Sequence, residues 1–456
     1  MDKSTDAAER DLLVPLNRRN YLLAIANGVV FTPGTRLVAP GTVLPLLILR
    51  LSSGLAWLIG LTNTILYVVP VLPQLLASRW IDTSERKLPI WRWCAVFRFL
   101  ATLGMAWVVL SAASLGYGYA LVAFFGWLVL RTLAQGVSSL VFTDILARSV
   151  PTTKRGSLWM WRQLLGLVLV LGFSVPVINY LLSDQSPFSF PTNYGILLAG
   201  SALFMGIGWI IFAFTEEPQG KPAGHQLTMA QHLTRGMRFL NRDKSYRRLV
   251  RVRMLLSAAA NVSPFFIAFA VQEWGFHDAV AAIFLTVQIL SQMLGCWITG
   301  HVSDRLGNRK VLMLAAATML ATTAVACLGG SLTPEGALVV LGYPVSYRLI
   351  VLVVCFIGSG LWAAELQPGY MNYLMDIAPR RKLPSYVGFA SFFLLPLGAV
   401  PLVYGWLAQT VGYLVIFIIA LLLSAVGLRL ASRIGEPRDE LDDDVLNDAN
   451  DSCVEQ

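Results

Sequence analysis

Three ionisable side chains stand in stretches that are otherwise apolar. Arg36 lies in Phe-Thr-Pro-Gly-Thr-Arg-Leu-Val, Arg131 in Leu-Val-Leu-Arg-Thr-Leu, and Glu365 in Leu-Trp-Ala-Ala-Glu-Leu. At the centre of a bilayer such a group costs about 2.5–3.5 kcal/mol on insertion scales, so it must face protein or water. A guanidinium there can hold an anionic group. A carboxyl group can take up and release a proton as its surroundings change. Two arginines against one glutamate make a net cationic set, which points to an anionic or zwitterionic small solute.

Neutral polar groups accompany these charges. Asn27 precedes Arg36, Asn261 and Ser263 precede Pro264, and Gln288 and Gln292 are one helical turn apart. Gln367, Tyr370 and Asn372 follow Glu365, and Trp362 lies three residues before it on the same helical face, where it could stack on a solute. Such groups can orient a polar ligand, or they can hydrogen-bond between helices of a bundle. Proline and glycine cluster nearby, as Pro33-Gly34 and Pro40-Gly41 around Arg36, and as Gly358, Gly360 and Pro368-Gly369 around Glu365. Interrupted spans at mid-membrane are the expectation there.

These residues need elements to hold them, and composition supplies the type. The 456-residue chain is 56% hydrophobic and only 13% charged, with a mean hydropathy of +0.64. Soluble domains are about a quarter charged, so an all-α polytopic membrane protein is expected. Each span needs about 20 apolar residues. Twelve candidates follow at 20–48, 54–78, 91–114, 117–147, 157–182, 193–215, 249–273, 279–300, 309–330, 347–377, 384–409 and 412–434.

The turns between spans set the orientation. One side carries Arg86 with Lys87, Lys154 with Arg155, Arg305 with Arg309 and Lys310, and the run Arg380-Arg381-Lys382. The other side holds little more than Arg50 and Arg348. Cationic loops stay cytoplasmic, so both termini are expected in the cytoplasm. The net charge of +9 is therefore topological, and nucleic acid is not an expected partner. Five cysteines stand singly, with no metal or disulfide spacing, and no cofactor is expected.

The chain divides into a cytoplasmic segment (1–19), a six-span bundle (20–215), a linker (216–248), a second six-span bundle (249–434) and an acidic tail (435–456). Within the linker, Leu227, Ala230, Leu233, Met237 and Leu240 recur at helical spacing. This fits an in-plane helix at the inner leaflet, and equally a basic linker.

The segment Gly300–Lys310, Gly-His-Val-Ser-Asp-Arg-Leu-Gly-Asn-Arg-Lys, falls between two spans, and a weaker copy occupies Ser78–Lys87 with Asp82, Arg86 and Lys87 kept. The pattern Gly-x-x-x-Asp-Arg-x-Gly-x-Arg-Lys resembles the loop signature of the major facilitator superfamily of secondary transporters. A second pair of signatures ends the fourth and tenth spans, at Asp144 with Lys154-Arg155 and at Asp376 with Arg380-Arg381-Lys382. Two matched six-span halves look like the parallel repeat of that superfamily.

The resemblance implies a fold of two pseudo-symmetric six-helix bundles, with the first, fourth, seventh and tenth spans lining a central cavity. It also implies a gate built from Asp82, Arg86, Asp144, Gly300, Asp304, Arg305, Arg309 and Asp376. In that gate Asp304 and Arg305 are expected to pair with Asp144 or Asp376; Thr83 stands where the first copy would carry its arginine. Leu128–Gly136 is similar to the fourth-span signature tied to proton coupling, with Gln135-Gly136 one residue late. The Gly-Pro dipeptide of drug/proton antiporters is absent from Gly172–Pro176.

The expected function is transport of a small organic solute by alternating access, with protons as the coupling ion and Glu365 as their carrier. A monomer in a bacterial inner membrane is the expected form. Two other readings are a non-transporting sensor or assembly factor of the same fold, and a lipid or lysolipid translocator. No nucleotide loop, zinc-helix signature or nucleophile elbow is present, so an enzyme is not expected.

Overall fold

The structure is a computed structural model that describes residues 17–73, 86–217, 243–332, 336–340, 343–377, 386 and 393–435. Asp82, the linker stretch read as an in-plane helix and the acidic tail lie outside the described residues. Among the described residues, nine helices are long and apolar enough to cross a bilayer. With a broken first span, a shorter apolar helix over Trp57–Pro73 and the helix at Val400–Thr410, they make a twelve-helix, multi-pass membrane protein.

Contacts divide the chain into two compact units, Met1–Gln226 with Gly275–Ile283, and Leu227–Trp274 with Phe284–Gln456. The first contains α1 (Arg18–Leu37), α2 (Val43–Leu51), α3 (Trp57–Val68), α4 (Leu88–Leu110), α5 (Tyr117–Ser149), α6 (Thr152–Leu169), α7 (Val175–Leu182) and α8 (Thr192–Ala213). At the start of α1 the Asn17 side chain accepts from Asn20 N at 3.1 Å, a helix cap. The helix runs through Pro33-Gly34 and stops at Leu37, because Pro40 keeps Ala39 out of helical geometry. Of the two Pro-Gly pairs, only the second interrupts the span.

Between α6 and α7 the chain makes a wide π turn over Val170–Ser174. There Ser174 Oγ donates to Pro33 O at 3.2 Å, tying the turn to α1. The stretch Gly275–Ile283 belongs to this unit through Asp278, whose carboxylate accepts from Arg50 Nε and Nη2 at 3.0 and 3.1 Å and from Tyr194 Oη at 2.8 Å.

The second unit contains α9 (Lys244–Ala260), α10 (Ser263–Gln272), α11 (Val280–Leu306, from Phe284 on), α12 (Asn308–Leu332), α13 (Tyr347–Ile377), α14 (Val400–Thr410) and α15 (Tyr413–Ala431). A two-stranded antiparallel hairpin, β1 (Ala337–Val340) and β2 (Tyr343–Ser346), connects α12 to α13. The sequence reading had only a turn there. The core of the unit is aromatic: Phe284 and Phe356 stack at 4.4 Å, and Phe266 packs against Phe356 and Phe417.

The tenth span is not interrupted, contrary to expectation. Helix α13 is continuous from Tyr347 to Ile377 with Pro368 inside it. Its glycines serve close packing: a Cβ at Gly360 would overlap Gln288 O of α11, and one at Gly358 would overlap Thr322 of α12. Small residues let membrane helices approach this closely. The charged signature is mostly helical too. Gly300–Leu306 completes α11, and the turn is made by Gly307 alone, at a φ of +85° that suits only glycine well.

Candidate functional site

Four arginines from four helices of the first unit border two cavities that share the wall formed by Phe31, Thr35 and Pro40. The first cavity, of about 250 Å³, is lined by Arg98 of α4 and Arg131 of α5, with Asn63, Thr102, Gln135 and Ser201 among its polar groups. The second, of about 300 Å³, is lined by Arg36 of α1 and by Arg162 and Gln163 of α6. Among the described residues no acidic side chain lines either one.

Each guanidinium of the first cavity is held loosely. Arg98 is 7% exposed, donates from Nη1 to Ser138 Oγ at 3.0 Å and lies 4.5 Å over the Trp209 ring. Arg131 donates from Nη2 to Met205 Sδ at 3.7 Å, a weak acceptor. Nε of both arginines is buried with no hydrogen-bond partner among the described residues. The two cations are also near enough to repel each other. Like charges with no counter-ion in an apolar bundle are costly, and an anion placed between them removes both the repulsion and the unmet donors.

Arg162 is fixed much more firmly. Its Nη1 donates to Ala24 O at 2.9 Å and to Asn27 Oδ1 at 2.8 Å, and Asn27 Nδ2 passes the chain on to Gly208 O at 2.6 Å. Phe142 and Trp159 flank the guanidinium at 5.0 and 5.4 Å. Gly28 makes the path for its stem, since any Cβ there would overlap Arg162 Cγ. Asn27 is thus engaged at both ends, in a contact between helices.

The sequence reading singled out Arg36 and Arg131 and missed Arg98 and Arg162. Both lie ten residues into their helices, about 15 Å from the start, so the depth rule that selected Arg131 applies to them. They escaped notice because Arg92 and the Lys154-Arg155 pair, close by, made them look like part of a span end.

In the second unit Glu365 is 1% exposed, and its carboxyl group is hydrogen-bonded by the Thr318 side chain of α12. Its Oε2 has no partner among the described residues. Gln288 Nε2 donates to Ser359 Oγ at 3.0 Å, and Asn261 Nδ2 donates to Ser257 O at 3.0 Å where α9 gives way to α10. Gln292 lies on α11, where its backbone N faces Gly360. Trp362 is 4% exposed and packs on Phe266, so it belongs to the aromatic core. Gln367 and Tyr370 meet Arg253 of α9, which the sequence reading did not select.

The expected gate residues cluster at helix ends. Asp144 lies between Lys87 Nζ at 3.1 Å and Arg148 Nη2 at 3.0 Å. In the second unit Asp376 accepts from Asn308 Nδ2 at 2.6 Å, and Asn308 in turn accepts from Ser303 Oγ at 2.6 Å. The matched aspartates thus have a charged partner in one unit and a neutral one in the other. Arg309 donates to Ser432 O at 2.8 Å, while Arg86, Gly300, Asp304 and Arg305 are exposed.

Several solved structures share this fold. A bacterial homologue of the iron transporter ferroportin, in an inward-facing state, is similar with a TM-score of 0.67 at 12% identity, over 92% of this chain and 99% of that one. The nucleoside transporter NupG gives 0.63 at 14% identity, over 91% and 98%. A D-xylose-proton symporter gives 0.64 at 14% identity, over 93% and 99%. No curated protein matches the sequence. Residues 252–448 match the family model described as Major Facilitator Superfamily. The family match thus covers the C-terminal part of the chain, and the solved transporters share its fold.

Proposed function

We propose that the chain is a secondary transporter that carries a small organic anion by alternating access. One observation carries this reading: among the described residues, Arg98 and Arg131 line the same cavity, each with an unpartnered Nε, and no carboxylate shares that lining. A carboxylate or phosphate group accepts two parallel N–H bonds from a guanidinium, a geometry that a neutral or cationic solute cannot match. Asn63, Gln135 and Ser201 are placed to hydrogen-bond the rest of a polar molecule. Arg36 and Arg162, across the shared wall, extend the cationic surface.

Protons are the proposed coupling ion and Glu365 their carrier. A buried carboxyl with one oxygen unmet is suited to hold a proton in one state and lose it in another. The matching aspartates Asp144 and Asp376 are the proposed gate clamps.

The test is counterflow in proteoliposomes with a panel of carboxylates, sugar acids and phosphate esters beside neutral and cationic counterparts. Only anionic members should accumulate, and the R98Q/R131Q double variant should carry none of them. A neutral member carried as well as its anionic counterpart, or transport by the double variant at the wild-type rate, would overturn the reading.

A further inference from the structure

The second unit holds a guanidinium that the anion cavity does not involve. Arg253 lies nine residues into α9, about 14 Å along the axis, and so is well past the helix end. Its Nη2 donates to Gln367 Oε1 at 2.6 Å, and its Cζ lies 5.2 Å from the centre of the Tyr370 ring. Gln367 and Tyr370 are three apart on α13 and share a face. Gln367 accepts from only one nitrogen. Among the described residues, Nε and Nη1 of Arg253 are buried without a hydrogen-bond partner, and so is the Tyr370 hydroxyl on a side chain 4% exposed. Among the described residues no carboxylate pairs with Arg253, and Glu365 is engaged with Thr318 on α12 instead. A buried cation with two unmet donors beside an unmet hydroxyl is a costly arrangement for packing alone. Gln367 is exposed, which leaves one side of the cluster open.

We propose that Arg253, Tyr370 and Gln367 form a second anion-binding subsite, within the C-terminal unit, for a carboxylate or phosphate group. The oxyanion accepts from Nη1 of Arg253 and from the Tyr370 hydroxyl, while Gln367, bound to Nη2, holds the guanidinium over the ring. It takes its ligand class from the transport reading above but does not share its residues.

Isothermal titration of the purified full chain with inorganic phosphate, in a neutral detergent, tests both together. Wild type should bind two phosphates, and R253Q and the R98Q/R131Q double variant one each. Y370F keeps the ring under the guanidinium and loses only the hydroxyl, so it should fold normally and weaken one of the two sites about tenfold. R253K keeps the charge and should retain that site with reduced affinity. Two phosphates in R253Q, or an unchanged isotherm in Y370F, overturns the subsite and leaves the transport reading standing. Loss at R253Q with full binding by R98Q/R131Q supports the subsite and sinks the other cavity. Repeating the titration in nanodiscs of phosphatidylcholine alone and with phosphatidylglycerol identifies the source. If the anionic lipid displaces the Arg253 phosphate, a headgroup occupies the subsite; if it does not, a free solute does.

Discussion

Replacing Arg131 by methionine separates a ligand-binding arginine from a structural one, because the two roles predict opposite signs. Methionine keeps much of the volume and the flexible stem. What the change removes is small: a 3.7 Å contact with Met205 Sδ, with no ion pair among the described residues. It also removes the unmet Nε and the repulsion of Arg98. An arginine at mid-span costs about 2.5–3.5 kcal/mol on insertion scales, part of which the cavity's polar lining already offsets. The net effect on folding should therefore be a gain of about 1–2 kcal/mol, seen as a melting temperature roughly 1–2 °C higher for a chain of 456 residues. A structural ion pair would instead lose about 3–5 kcal/mol on truncation. Anion binding should fall about 10- to 150-fold, the worth of one charge-assisted hydrogen bond of about 1.5–3 kcal/mol. Scanning fluorimetry in detergent reads the first quantity and counterflow of the anionic substrate reads the second. A melting temperature lowered by several degrees, or counterflow with an unchanged half-saturation concentration, would refute the reasoning.

Further outcomes follow from the same structure. E365Q retains an oxygen that can accept from Thr318, so the protein should melt at or above the wild-type temperature. Accumulation driven by a pH gradient should vanish while solute exchange continues; concentrative uptake at the wild-type level would remove Glu365 as the proton carrier. G28A should displace the Arg162 stem and break the Arg162–Asn27–Gly208 chain, an overpacking cost of about 1–3 kcal/mol readable as a lower melting temperature. R50A leaves the buried Asp278 carboxylate with Tyr194 as its side-chain partner among the described residues. Because half of the Arg50 side chain is exposed, the expected loss is about 1–3 kcal/mol, below that of a fully buried pair, and D278N should cost a similar amount.

The helical layout was legible because bilayer thickness fixes how long an apolar run must be. Runs such as Tyr117–Leu146 and Tyr347–Ile377 satisfy that length without help from tertiary contacts. Which Pro-Gly pair breaks a helix was not legible. Pro33-Gly34 and Pro40-Gly41 read alike, yet α1 passes through the first, where Gly34 lies against Ser201 O and Met205 of α8. Trp362 shows the same limit, since its spacing from Glu365 was correct and only the neighbouring Phe266 reveals that it is core. The site was half legible. Depth in a span selects charged residues, but Arg98, Arg162 and Arg253 sit beside basic turns and share their appearance until helix starts are known.

The π turn at Val170–Ser174 has a consequence for how the fifth span can change. Such a turn holds one residue more than the α-helix on either side, and each residue of α-helix advances the side-chain direction by about 100°. The extra residue acts as a phase shifter, letting Arg162 and Gln163 look into one cavity while the following turns aim Ile178, Leu181 and Leu182 at the protein interior. Deleting a single residue there would straighten the ladder and swing those three aliphatic side chains around the helix, out of register with the neighbours they now pack against.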